Sequence, residues 1–225
     1  LIRYVFKEHL KIALSCSQGK ERSVMNPKNV VWLKVSGVSG ILAPTVAFTF
    51  ISLAIVCSPQ FSWTENALSE LGVQEGVTAI LFNSGLIIVG ILALVFASGL
   101  FVIQKIMLGR FGAFMFVLAA LTLMAIGVFP DNVKPAHYYA SVGFFVLFSI
   151  SMFVISTAFL LTAKVKLGLF TFLVATVAVA VWIIHWTISF GLGVAIPETL
   201  FAVSASTCSV VLGFKMQKEA SHSTK

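Results

Sequence analysis

VTAILFNSGLIIVGILALVFASGLFVI, residues 77–103, holds no charged residue, and its polar side chains are confined to Thr78, Asn83, Ser84 and Ser98. A bilayer core about 30 Å thick is crossed by roughly 20 apolar residues in helix. The run is therefore predicted to be a membrane span. It is continuously apolar, whereas barrel strands are about ten residues long and alternate apolar with polar, so a helix is preferred.

Working outward, comparable runs occupy 34–57, 111–129, 137–163, 169–190 and 199–216, which makes six spans in all. Composition agrees. Hydrophobic residues make up 59% of the chain, charged residues only 10%, and the mean hydropathy is +1.03. Roughly a quarter of a soluble domain is charged, so this chain is solvated by lipid. The expected fold is all-α, a polytopic six-helix transmembrane bundle, with one membrane domain over 34–216 and a short tail over 217–225.

Charge suggests an orientation. Of the 15 Lys and Arg residues, all but Lys134 fall in the amino-terminal region, in the loops after spans two and four, or in the carboxy-terminal tail. The remaining loops carry Glu65, Glu70, Glu75, Asp131 and Glu198. Basic loops stay cytoplasmic, so both termini are expected in the cytoplasm, with the protein in the cell membrane. The net charge of +7 then reflects topology and anionic headgroups, with no nucleic-acid partner implied.

Residues 1–33 are expected to be a basic cytoplasmic leader. Its apolar Ile2, Val5, Phe6, Leu10 and Ala13 recur at helical spacing beside Arg3, Lys7 and Lys11, as in a helix lying on the inner leaflet. An upstream extension before Met25 is the other reading. Cys16, Cys57 and Cys208 show no metal spacing and are expected to be packing residues. Ser36 and Gly40 form a small-xxx-small pair able to bring a helix close to a neighbour, within the chain or in a homo-oligomer or membrane complex.

The first outer loop, SPQFSWTENALSELGVQEG over residues 58–76, is dense in polar groups yet sits between two spans. Ser62 and Glu65 have capping-box spacing and Gly72 is placed for a left-handed stop. A short interfacial helix over 63–71 is therefore expected, with Trp63, Asn66, Ala67 and Glu70 on one face and Trp63 as headgroup anchor. Glu65, Asn66, Ser69 and Glu70 exceed what capping and solubility require.

Other polar groups are expected on the same side. They are Asn83 and Ser84 in span two, Asp131, His137 and Ser141 where span four opens, His185 in span five beside Trp182 and Trp186, and Glu198 after Pro197 at the start of span six. Pro197 suits a first helical position and Glu198 the positive helix end. His185 lies within an apolar run, where an ionisable group faces the bundle interior and needs a partner. Phe144, Phe145 and Phe148 are expected to pack.

These residues leave three readings open. The first is a binding module that takes a membrane lipid or small amphiphile in an outward-facing pocket, with candidate contacts Trp63, Glu65, Asn66, Ser69, Glu70, Asn83, Asp131, His137, Ser141, His185 and Glu198. The second is a metal-assisted lipid hydrolase with His137, His185 and Glu198 as the ligands. The third is a b-type cytochrome or quinone-associated subunit with His137 and His185 as axial ligands. No nucleotide loop, nucleophile elbow or H-E-x-x-H motif is present, and the cofactor stays unknown.

The pattern S-P-x-F-S-W-T-E-N-A-L-S-E-L-G from Ser58, with F-N-S-G from Phe82, F-P-D from Phe129, His137 and A-I-P-E from Ala195, resembles the six-span membrane proteins of domain of unknown function family 998. The resemblance implies the bundle and no established reaction. A fainter one, to the FRAG and damage-regulated autophagy modulator group, aligns Ser69, Gly72 and His137. It sets Glu70 where many relatives carry an aspartate.

Overall fold

The computed structural model describes residues 26–223. The leader up to residue 25, with Cys16, falls outside the described residues, and its last residues belong to the first helix. At its start the Asn26 side chain accepts a hydrogen bond from the Lys28 amide. Pro27 sits in the first turn, where a missing N–H costs nothing. Helix α1 then runs Pro27–Val56, followed by a 3₁₀ helix Leu68–Val73, α2 Val77–Ile103, α3 Met107–Val128, α4 Lys134–Leu161, α5 Val165–Ile188 and α6 Ala195–His222.

All six α-helices are long and apolar enough to cross a membrane. The protein is thus an all-helical, multi-pass membrane protein. Backbone amides in lipid have no water to bond, and each span satisfies its own. Loops α1–α2, α3–α4 and α5–α6 gather at one end of the bundle, hereafter the acidic end, and the two short loops and the described termini at the other, basic end.

Each helix packs against the next, and α6 returns to α1, closing a ring. Small residues allow the closest approach. Ser36 of α1 lies against Gly99 of α2, Gly40 takes the ring of Phe96, and Gly37 abuts the backbone of Gly213 in α6. The small-xxx-small pair is thereby used within the chain. Ser36 and Ser98 also exchange a hydroxyl hydrogen bond of 3.2 Å. By contrast α5 is held less closely than the other helices, and the site described below flanks it.

Inside the ring, aromatic side chains interlock edge to face. Phe96 meets Phe116 at 5.5 Å, Phe148 meets Phe201 at 5.3 Å, and Phe145 meets Phe201 at 4.8 Å and Trp182 at 4.7 Å. Phe144, Phe145 and Phe148 are packing residues, as expected. Such pairs add about 0.5–1.5 kcal/mol each beyond their area burial. Cys208 is buried among them, with Sγ 3.3 Å from the sulfur of Met152.

The start of α1 and the end of α6 extend furthest past the predicted spans. Helix α1 starts at Pro27 instead of 34, because Val30 and Leu33 already pack into the core. Helix α6 continues through 217–222, where Gln217 donates to the Lys34 carbonyl and Lys215 pairs with Glu219 at 2.8 Å. At the same end burial holds the Lys164 ammonium below the usual lysine range, partly offset by Glu219.

The first loop departs most from expectation. No α-helix spans 63–71. Instead, residues 62–66 form a turn and the helix is 3₁₀, beginning at Leu68. The Ser62 amide is bound by the Asn66 side chain at 2.8 Å, and Glu65 is exposed. Glu70 makes the return bond instead, accepting from the Ala67 amide at 3.0 Å. Gly72 is not left-handed; it lies inside the 3₁₀ helix, and the Asn83 side chain occupies the space a Cβ would need. Pro197 is the third residue of α6, still among the first-turn amides that need no partner within the helix.

If the α1–α2 seam depends on the missing side chain at Gly99, then Gly99→Leu will overpack it by about 1–3 kcal/mol. The midpoint of thermal unfolding in detergent should drop by several degrees. Ile91→Val, on the lipid face, should leave it nearly unchanged.

Candidate functional site

The site begins with two loops far apart in sequence. The Gly193 amide donates to the Thr64 carbonyl at 2.9 Å and the Ala195 amide donates to the Asn66 carbonyl at 3.0 Å. Gly193 approaches the Asn66 backbone so closely that a Cβ would collide with it. One turn further on, Glu198 Oε2 accepts from the Leu68 amide at 2.6 Å. These three bonds clasp the start of α6 to the first loop.

Asn66 and Glu70 stiffen the clasp from within. The Asn66 side-chain amide accepts from Ser62 and donates to Glu70 Oε2 at 2.6 Å, leaving Glu70 bonded through both oxygens. Below them Leu68 and Leu71 are buried against Phe82, Leu86, Ile126, Ala140 and Ala195. The Asn83 amide donates to the Gly72 carbonyl at 2.9 Å and ties the 3₁₀ helix to α2. Trp63 lies outside this plug, exposed and edge-on to Phe61 at 5.3 Å.

Two cavities meet beneath the clasp. An interior one of about 150 Å³ lies within the ring, walled by residues such as Pro44, Leu86, Phe116 and Phe148. The other is a groove of about 1170 Å³ between α4 and α5. It starts at Asp131, Lys134 and His137 and follows Val142, Val146, Ile150 and Phe153 on α4, facing Val179, Trp182, Ile183 and Trp186 on α5. From Lys134 to Phe153 the α4 wall rises roughly 28 Å, close to a bilayer core. Val146, Ile150, Ile183 and Trp186 are exposed, so the groove opens sideways.

Ser69, Ser141, Phe145 and Glu198 line both cavities. Three are polar, and they come from the 3₁₀ helix, α4 and α6. Among the described residues neither serine hydroxyl nor Glu198 Oε1 has a protein hydrogen-bond partner. Three side chains with unpartnered oxygens thus line the junction, with Phe145 as its apolar member. Groups left so in an apolar setting seek a ligand, a proton or water.

His137 stands at the mouth of the groove. Its Nδ1 lies 2.8 Å from the Phe129 carbonyl, which can only accept, so Nδ1 carries the hydrogen. Nε2 is then free and lies 3.8 Å from Asp131 Oδ1, an ion pair when the imidazole is protonated. The bond to Phe129 also caps the end of α3. His137 thus shapes the α3–α4 turn as well as the groove.

Five predicted residues therefore line the groove: Ser69, Asp131, His137, Ser141 and Glu198. Trp63, Glu65, Asn66, Glu70, Asn83 and His185 line neither cavity. His185 is buried but turned under the α5–α6 loop, stacked on Phe190 at 5.8 Å, with Nδ1 3.4 Å from the Phe190 amide. It shares no cavity with His137, and the described residues hold no group of three His, Cys, Asp or Glu able to bind a metal ion. Neither the His137–His185–Glu198 metal set nor the haem pair has geometric support.

Lys134, Tyr138, Tyr139, Trp182 and Trp186 were absent from the sequence-based candidates and do line the groove. A signal existed. Lys134, Tyr138, Val142, Val146 and Ile150 repeat every fourth residue, marking one face of α4. No such signal links Leu68 to Glu198, 130 positions apart.

If Gly193 holds the clasp closed, Gly193→Ala should speed amide exchange at Gly193 and Ala195 by about tenfold or more. Hydrogen exchange read by mass spectrometry checks this. Glu65→Ala, on an exposed side chain of the same loop, should leave the rate as it is.

No curated protein matches this chain, and no solved structure does. One family model matches residues 41–215, from α1 through the clasp, both cavities and most of α6. The chain belongs to that family, described as proteins of unknown function, DUF998.

Proposed function

We propose that this protein is a membrane module that binds a lipid or other amphiphile in the groove between α4 and α5. The polar end of the ligand sits beneath the clasp and its chain lies along α4. One observation carries the reading: an apolar channel about as long as a bilayer leaflet pair is wide, open to the side, ends at unpartnered oxygens of Ser69, Ser141 and Glu198. A chain entering it exchanges one apolar surrounding for another, so affinity comes from dispersion contacts and from the polar end.

The looser packing of α5 fits this role, since a groove beside a less tightly held helix is open to a ligand entering sideways from the bilayer. Asp131, Lys134 and His137 supply charge at headgroup level. In the same reading the acidic end faces outward and both termini face the cytoplasm of the cell membrane, following the distribution of Lys and Arg. Trp63 then anchors the first loop at the headgroups.

The test is native mass spectrometry of protein extracted in mild detergent. The wild type should retain a stoichiometric amphiphile, and Ile150→Trp, which fills the groove, should lose it while keeping its unfolding midpoint. Ile91→Trp on α2 should retain it. A bare wild-type mass, or equal retention in all three, would overturn the reading.

A further inference from the structure

Building on that groove, we propose that its ligand bears a primary amine, whose ammonium group is bound at the cavity junction by Glu198, Ser69 and Ser141. Glu198 is the central residue of this site. One of its oxygens is committed to the Leu68 amide, the other has no protein hydrogen-bond partner among the described residues, and the residue lines both cavities. A carboxylate in apolar surroundings is strongly unfavourable unless a counter-charge or a proton answers it.

The protein supplies no cation there. Among the described residues Glu198 forms no ion pair, and the charges that act on it are those of Glu70 and Asp131, both negative. Lys134 is exposed at the groove mouth and His137 is directed to Phe129 and Asp131. Glu70 is itself bonded through both oxygens inside the loop. The side-chain charges at the junction therefore favour a positive ligand over a phosphate or carboxylate, against the partial positive charge of the α6 amino terminus.

Hydrogen-bond valence narrows the class. An ammonium group has three donors and no acceptor. The junction offers three acceptors from three separate elements: Glu198 Oε1, Ser69 Oγ and Ser141 Oγ. A quaternary ammonium would satisfy the charge and leave both hydroxyls unmet. The attached chain then runs down the groove past Phe145, Val146 and Ile150.

The experiment compares four amphiphiles with one dodecyl chain: the primary amine, the trimethylammonium, the alcohol and the phosphate monoester. Binding to the full chain in lipid nanodiscs is read by displacement of a fluorescent fatty probe. The amine should bind most tightly, and Glu198→Gln should weaken it by about thirtyfold or more while weakening the alcohol far less. Gln keeps an oxygen for the Leu68 amide, and the headgroup series on the wild type needs no variant at all. Equal affinity for all four heads would sink the amine and leave the groove intact, as would preference for the phosphate. Saturable binding by none of them would overturn both the amine and the groove.

Discussion

The backbone pairing between Thr64–Asn66 and Gly193–Ala195 joins the first loop to the last one at the acidic end. Without it the six helices would be a ring of neighbours with an open top. With it, Leu68 and Leu71 are pressed into the mouth of the bundle, and Glu198 is brought to the Leu68 amide. The pairing requires the absence of a side chain at Gly193. It also requires that Asn66 and Glu70 spend their own polar groups inside the loop, which holds the Asn66 carbonyl in place for Ala195.

From that closure follows the contrast between the two sides of the ring. Helices α1, α2 and α6 are drawn together in their basic halves through Ser36, Gly37, Gly40, Gly99 and Gly213, whereas nearer the acidic end Pro44, Ala47 and Ser206 line the smaller cavity. Large side chains dominate where α4 faces α5, with Phe145, Phe153, Trp182 and Trp186 along the gap. Bulky, stiff rings of this kind hold helices apart unless they interdigitate fully. Phe145 meets Trp182 and Phe201, but below it the two walls part and the groove remains.

The spans were legible because lipid imposes a length and an apolar composition that no other setting demands, and 77–103 was read to the residue. Helix ends were less so. Val30 and Leu33 are apolar enough to continue α1, but Lys28 and Lys34 broke the run in the sequence. In the first loop the polar residues were recognised as important, yet their roles were exchanged. Glu70 serves where Glu65 was expected, reaching back to the Ala67 amide although Ala67 has no polar side chain to complete a capping box.

Glu198 and Ser141 were legible as candidates by residue type, and their sharing of both cavities with Ser69 was not, since nothing local encodes the contact between 68 and 198. His185 misled for a physical reason. An ionisable group in an apolar run does face inward and does find a partner, but here the partners are the Phe190 ring and amide of its own loop. The most direct measurement of the central claim is labelling in native-like bilayers with a fatty chain carrying a diazirine along its length, mapped by peptide mass spectrometry. A lateral binding groove predicts saturable, competable labels on Val142–Phe153 and Val179–Trp186. Labels spread in proportion to exposure, reaching Val31, Leu121 and Phe214 equally, would contradict it.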